Sequence, residues 1–191
     1  MKSKLIINTL SIFSLVACVS IPFLANGQDT SVSFEGWHQV GNANWRIEQG
    51  EFVSHEGNGH LVTDRSYQDF RITAEFFVDV PTANSGIYFR ITDESTIRDT
   101  TAYEANINDE RPDMEKSTGA LVNHVPPSEF IKTAGRWNTY EVTAQGDHIF
   151  IVLNGITTVD TRDTTHPHSG PISLQHLAGE VRFRNVVIEA L

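Results

Sequence analysis

The sequence predicts an all-β fold, an antiparallel β-sandwich. Three observations point there. Short runs rich in β-branched and aromatic residues alternate apolar with polar side chains, the period of a strand with one buried face. Gly, Asn, Asp and Pro separate these runs at spacings of about 8–14 residues, the rhythm of a sandwich or barrel. No segment repeats its apolar residues at the spacing of an amphipathic helix.

Taken in order, Phe70, Ile72, Ala74, Phe76 and Val78 alternate with Arg71, Thr73 and Glu75, which gives one buried and one wetter face. Ile87, Phe89 and Ile91 alternate with Gly86, Tyr88 and Arg90, and Tyr103, Ala105 and Ile107 with Glu104, Asn106 and Asn108. Two polar stretches, Asp93–Thr101 and Asp109–Ser117, flank the strand that carries Glu104 and read as loops, the elements in which sites tend to be built. Gly146-Asp147 punctuates Thr139–Ala144 and His148–Leu153. Asn154-Gly155 then joins Ile149–Leu153 to Ile156–Val159, and because both residues tolerate positive φ it is the strongest hairpin signal in the chain.

A length of 191 residues suits one domain, and 39% hydrophobic against 20% charged residues suits a packed core. The 24 Asp and Glu outweigh the 14 Lys and Arg, for a formal net charge of −10. Docking on a phosphate backbone or an anionic lipid surface would start against a like-signed field, so nucleic acid is excluded as a partner class. Cys18 is the single thiol, which excludes an intrachain disulfide framework, a Cys-rich zinc site and a CxxC redox pair.

The amino terminus reads as an address. Lys2 and Lys4 precede an apolar run, and Ala25-Asn26-Gly27 offers small residues at the −3 and −1 positions of a cleavage site. Residues 1–27 are therefore expected to be a secretory signal and 28–191 the working domain, exported to a periplasmic or extracellular space. Loss of Lys2 and Lys4 without any acid leaves that domain more acidic still. A competing reading uses Leu15-Val16-Ala17-Cys18, which resembles a lipoprotein box and would leave a lipid anchor at Cys18 of a membrane-attached protein. The apolar Ile21–Leu24 beyond the cysteine argues against it.

The chemistry-bearing residues exclude several classes. The eight histidines show no HExxH spacing, and His166-Pro167-His168 reads as a solvated turn. His124 and His176 each follow a strand-like run and precede a turn. No Gly-Xaa-Ser-Xaa-Gly elbow is present. Glu110, Asp113 and Glu115 lack the paired-acid spacing of an ordinary sandwich glycosidase, and Glu104 is the one strand-borne acid with polar neighbours on its own face.

Several segments, in order along nearly the whole chain, carry a resemblance. They include Asn44-Trp45-Arg46-Ile47-Glu48-Gln49-Gly50, Gly59-His60-Leu61-Val62-Thr63 and Asn84-Ser85-Gly86-Ile87-Tyr88-Phe89-Arg90. Tyr103-Glu104, Ser117-Thr118-Gly119-Ala120-Leu121, Leu153-Asn154-Gly155, Gly170-Pro171-Ile172-Ser173-Leu174-Gln175 and Val181-Arg182-Phe183-Arg184-Asn185-Val186 continue it. Together they resemble the 3-keto-disaccharide hydrolase domain family, which has the concanavalin-like jelly-roll fold. The resemblance implies action on sugars already oxidised at C3, by hydrolysis or by elimination and hydration, in places with a divalent metal. A C3 ketone acidifies the C2 proton, so one base, donors for the developing oxyanion and an acid for the leaving oxygen would suffice.

Strand alternation under this resemblance selects candidates. Glu104 or His176 is expected as base or metal ligand, and Arg90 as oxyanion stabiliser. Asn106 and Gln175 are expected to read hydroxyls, with Tyr88, Arg184 and His124 as further substrate contacts. The family commonly has Gln at the position of Asn106 and an acid before the histidine near His176, where this chain has Gln175. The alternative from another class is a non-catalytic carbohydrate-binding module using the same concave face.

Overall fold

The computed structural model describes residues 33–111 and 113–191, which lie in one compact unit, Ser31–Leu191. The expected signal segment and Cys18 fall outside the described residues. Twelve strands are formed among the described residues: β1 Trp37–Gly41, β2 Arg46–Glu48, β3 Glu51–Ser54, β4 Gly59–Tyr67, β5 Phe70–Val78 and β6 Ser85–Phe89. They continue as β7 Tyr103–Ile107, β8 Asn138–Gln145, β9 His148–Leu153, β10 Ile156–Arg162, β11 Gly170–His176 and β12 Val181–Ala190. One sheet has the order β1-β4-β11-β6-β7 and the other β10-β9-β8-β5-β12-β3-β2, with all named strand pairs antiparallel. The only helix among the described residues is a single 3₁₀ turn, Met114–Lys116. This is the jelly-roll sandwich that the alternation and the resemblance led us to expect.

The core lies between the sheets. In β5 the expected set Phe70, Ile72, Ala74, Phe76 and Val78 is buried, while Arg71, Thr73 and Glu75 face outward. Facing them from the other sheet are Leu61, Ile87, Phe89, Tyr103, Ala105, Ile107, Ile172 and Leu174. Aromatic edges knit the layers, with Phe70 5.6 Å from Phe89. The Asn154-Gly155 turn has φ values of 52° and 80°, the two left-handed positions a type I′ hairpin requires. Trp45 is buried in the core, Trp37 packs against it, and Trp137 lies beneath the Arg184 guanidinium.

At one position the alternation fails. Arg90 follows β6 with φ 55°, a left-handed conformation uncommon for a side chain of this size. The chain there leaves the strand, and the guanidinium swings into the interior instead of staying on the face of Tyr88. It is fully buried and its Nη2 donates to Gln68 O at 2.9 Å and Gly146 O at 2.8 Å, with Asp69 Oδ1 at 3.4 Å. Gln68 and Asp69 form the corner between β4 and β5, and Gly146 the β8–β9 turn. Arg90 thus bolts the end of one sheet to a turn of the other and to the corner that joins the two.

Candidate active site

Core residues Leu61, Leu174, Ile87 and Ala105 fix which way the five-stranded sheet faces. Their alternates must point to the opposite, outer side. Those alternates are His60 on β4, Ser173 and Gln175 on β11, Gly86 and Tyr88 on β6, and Glu104 and Asn106 on β7. The register sets His60 opposite Gln175, Ser173 opposite Tyr88, Tyr88 opposite Glu104 and Gly86 opposite Asn106. A row of polar groups therefore crosses four strands.

Glu104 is the centre of the row. It is 7% exposed, and burial raises its pKa from an ordinary 4.5 to about 7, a shift moderated by the hydrogen bond from Tyr88 and the nearby positive charge of Arg111. Burial raises the Tyr88 hydroxyl well above its usual range, so it stays a donor. Gln175 Nε2 donates to Tyr88 Oη at 3.2 Å, and Tyr88 in turn hydrogen-bonds Glu104. This leaves Gln175 Oε1 buried without a partner among the described residues. Asn106 is in the same condition. Its Nδ2 donates to Lys116 O, and its Oδ1 has no partner. Two unsatisfied amide oxygens beside a half-ionised carboxyl are costly to keep unless a ligand donates to them.

Gly86 makes room for the carboxyl. A Cβ there would come within 2.8 Å of Glu104 Oε1 and 3.1 Å of its Cγ. The carboxylate end can move aside, so Gly86→Ala is expected to displace the acid rather than unfold the sheet. The measurable outcome is a loss of about 10²-fold in kcat/KM with a Tm within a few degrees of wild type, since a misplacement of about 1 Å at a reacting group has that effect.

His60 was not anticipated from the sequence. It is 7% exposed, its Nδ1 lies 3.0 Å from Ser173 Oγ, and its ring meets the Tyr88 ring edge-on at 5.1 Å. Burial lowers its pKa to about 4, so it is neutral at physiological pH. The expected Asp93–Thr101 loop runs over this face. Ile97 packs on the small cluster of Tyr88, Ile91 and Ala102, and Asp99 is tied to Asn123 Nδ2 and His166 Nε2. Its other end is held by His38, whose Nδ1 is 2.7 Å from Asp64 Oδ1 and Nε2 2.8 Å from Glu94 Oε2, contacts that raise the histidine pKa. Under the loop's Glu94 end lies a cavity of about 440 Å³, bordered by His60 and by the β1–β4 edge.

Four of the expected site residues, Glu104, Tyr88, Asn106 and Gln175, share this face. The other four sit elsewhere. Arg90 is the interior bolt described above. His176 falls on the parity of Leu174 and Ile172 and is 2% exposed, with its ring nitrogens against Gly57 O and Gly179 O and its edge on Trp45, not in a groove. Arg184 is on β12 of the opposite sheet, stacked 3.9 Å over Trp137 and paired with Glu75 and Glu51. His124 is 3.1 Å from Asp163 and packs on Tyr103, an interior residue whose hydroxyl donates to Asp163 Oδ1 at 2.6 Å. That cluster also holds His166, buried against Tyr103 rather than solvated.

Among the described residues no group of three or more His, Cys, Asp or Glu side chains gathers to hold a metal ion. Around Glu104 the oxygen donors are its own carboxylate, the Tyr88 hydroxyl and the amide oxygens of Asn106 and Gln175; one carboxylate with no second acid and no imidazole in the set is a poor fit for a tightly held divalent cation. No helix among the described residues is long and apolar enough to cross a membrane.

Two packed antiparallel sheets with a polar row on an outer face define the class, a concanavalin-like jelly-roll protein. Within that class the chain belongs to the 3-keto-alpha-glucoside-1,2-lyase-like domain family, which matches residues 23–189. The chain is similar to two crystal structures from Parabacteroides distasonis that are provisionally classed as glycosyl hydrolases. One has a TM-score of 0.73 at 22% identity over 82% of this chain and 94% of its own. The other has 0.72 at 18% identity over 83% and 89%. A carbohydrate-binding module from Bacillus subtilis is similar with a TM-score of 0.64 at 17% identity, covering 81% of this chain and 96% of the module. At these identities the likeness is one of fold. No curated protein sequence matches the chain.

Proposed function

We propose that the chain is an exported enzyme that cleaves 3-keto-glycosides, with Glu104 as its base. The observation that carries this reading is the buried Glu104 carboxyl, poised near pH 7 and flanked by donors and unpaired acceptors on the outer side of one sheet. A general base is most effective when its pKa lies near the working pH, and burial supplies that here.

The ketone at C3 makes the C2 proton removable. Glu104 takes that proton, and the C2–H electron pair becomes the C2=C3 bond of an enolate. The developing oxyanion on C3 needs a donor and positive charge: the Tyr88 hydroxyl is released from Glu104 once that carboxyl takes the proton and can then donate, and the positive charge of Arg111 that acts on Glu104 favours the anion. The ketone then re-forms, the pair shifts to C1=C2, and the C1–O bond breaks with its electrons going to the leaving oxygen. The protonated Glu104 returns a proton to that oxygen. Water adds to C1 afterwards, giving net hydrolysis. Asn106 Oδ1 and Gln175 Oε1 accept from sugar hydroxyls and orient the ring.

The test is turnover of a 3-keto-glucoside by the purified protein in D₂O, with the unoxidised glucoside as control. Release of free sugar from the keto substrate alone, with deuterium entering at C2, is the expected result. Tight binding of an unmodified glycan with no turnover of the keto-sugar would instead indicate a carbohydrate-binding module.

A further inference from the structure

The polar row around Glu104 is closed off from solvent. Tyr88, Glu104, Asn106 and Gln175 stand on the outer side of their sheet, yet none is more than 7% exposed. Any molecule that reaches Glu104 must first displace part of what covers it. Two segments do the covering, and they are held down in different ways.

The Asp109–Ser117 side is a fixed wall. Buried Asp109 accepts from Thr118 Oγ1, Thr133 Oγ1, Thr133 N and Ala134 N, and Ser117 and Thr118 are fully buried. The Asp93–Thr101 loop is instead a separate body on a neck. Thr92 N and Thr92 Oγ1 both donate to Thr101 O at 2.9 Å, between buried Ile91 and Ala102. Within the loop Ser95 N donates to Asp93 Oδ1, Thr96 N to Asp93 O and Thr101 Oγ1 to Thr96 O, which keeps it stiff. None of its residues is buried, and among the described residues no backbone–backbone hydrogen bond ties it to another element beyond the neck. It is held down by Ile97 on Tyr88, by Asn123 and His166 on Asp99, and by His38 on Glu94. A compact loop with joined ends and few outside ties opens locally at small cost.

The geometry at His38 fixes its charge. Nδ1 donates to Asp64 Oδ1 at 2.7 Å and Nε2 to Glu94 Oε2 at 2.8 Å. Both partners are carboxylates and accept, so both ring nitrogens carry a proton and the ring is an imidazolium. A neutral ring keeps one N–H and can serve only one of the two. The bonds to Asp64 and Glu94 raise the His38 pKa against the opposing effect of burial. The bridge is therefore complete below that raised value and lost as pH rises through it.

We propose that the Asp93–Thr101 loop is a lid over the Glu104 face, hinged at Thr92 and Thr101 and latched to β1 by His38. The lid does not depend on which reaction the face performs. Other charges act on it. Glu104, titrating at about 7, faces Asp99 of the loop as a like charge, so its ionisation favours opening in the same direction. Arg98 acts on Asp93 within the loop, Arg111 acts on Glu104, and His60 beneath the Glu94 end is neutral above about 4.

Thiol labelling tests it without substrate, so its outcome is separate from that of the cleavage test. In a Cys18→Ser background, Gln175→Cys places a thiol beneath the lid and Ser54→Cys places one at a fully buried position of the other sheet. The rate with methyl methanethiosulfonate, divided by that of a short peptide with the same cysteine at the same pH, gives the open fraction. At pH 6, Glu94→Gln and His38→Gln are each expected to raise the rate at the Gln175→Cys thiol about three- to fivefold, the size of a half-exposed ion pair. Ile97→Ala should raise it about five- to tenfold. None should change the Ser54→Cys thiol. With Glu104→Gln added, so that the carboxyl below no longer titrates, the latched protein should open about three- to fivefold more at pH 9 than at pH 6, and His38→Gln should abolish that dependence. Labelling as fast as the peptide, a slow rate that no variant changes, or rates that rise equally at both thiols overturns the lid. A response to Ile97→Ala with none to His38→Gln or pH overturns the latch. Asn106→Cys serves as the reporter if Gln175→Cys does not fold.

Discussion

Glu104→Gln is expected to lower kcat/KM on a 3-keto-glucoside by about 10²–10⁴-fold, the range in which positioned general bases contribute. Glutamine keeps the volume of the side chain and can still accept from Tyr88, but it cannot take a proton from C2. In the wild type, activity should follow the ionised fraction of Glu104, so kcat/KM should rise through about pH 7 and level off above it. His60 does not disturb that profile, because it titrates near 4. The stability effect has the opposite sign. The folded carboxyl titrates at about 7 and an exposed one at 4.5, so the folded protein keeps a proton that the unfolded chain has already lost in that window. Stability therefore falls as pH rises between those values, by about 3 kcal/mol for a shift of about 2.5 units. Glutamine carries no such penalty. At pH 8 the variant should melt at or above the wild-type temperature, and near pH 4.5 the two should converge. Retention of a third or more of wild-type turnover would remove Glu104 from the mechanism.

That a catalytic candidate weakens the fold bears on what could be read from the chain beforehand. Glu104 was legible because Tyr103, Ala105 and Ile107 are all core residues, so period two leaves it one place to point. The same rule placed Tyr88, Asn106 and Gln175. Applied to His176 it gives an interior position, since that residue shares parity with Ile172 and Leu174 and β11 runs on to include it. Arg184 alternates with Phe183 as expected, but alternation does not say which of two sheets a strand joins, and β12 joins the other one. His60 was hidden for a different reason. Gly59–Thr63 is buried on both faces, one by the core and one by the loop above it, so the run has no polar–apolar contrast to read. A histidine next to a core leucine in a short strand was the available signal. The loop that covers it was recognised as a loop, but what it covers is a tertiary fact.

Arg90 shows where pattern reading stops, and its replacement is the second large effect. The family resemblance implied an oxyanion stabiliser here and alternation put Arg90 on the matching face; the structure makes it a cross-link between layers. Arg90→Ala would leave Gln68 O and Gly146 O without their donor and open a void the size of a long side chain. A buried carbonyl left unpaired costs about 1–3 kcal/mol, and truncating a large buried side chain adds about 2–5 kcal/mol of lost packing. Partial relaxation and water entry at the half-exposed Asp69 corner will recover some of this, so a net loss of about 3–5 kcal/mol is expected. At about 2–4 °C per kcal/mol for a domain of this size, the Tm should fall by about 6–20 °C. Arg90→Lys should fare only slightly better, because one ammonium cannot reach both carbonyls in the planar fork that the guanidinium presents. Thermal melting separates the two roles. A large drop in Tm, with kcat/KM per folded molecule near wild type, marks the bolt; an unchanged Tm with activity lost would return Arg90 to the oxyanion and require the guanidinium to face the sugar. The φ of 55° at this residue is the physical reason to expect the first outcome, since that conformation turns the side chain off the face it would need.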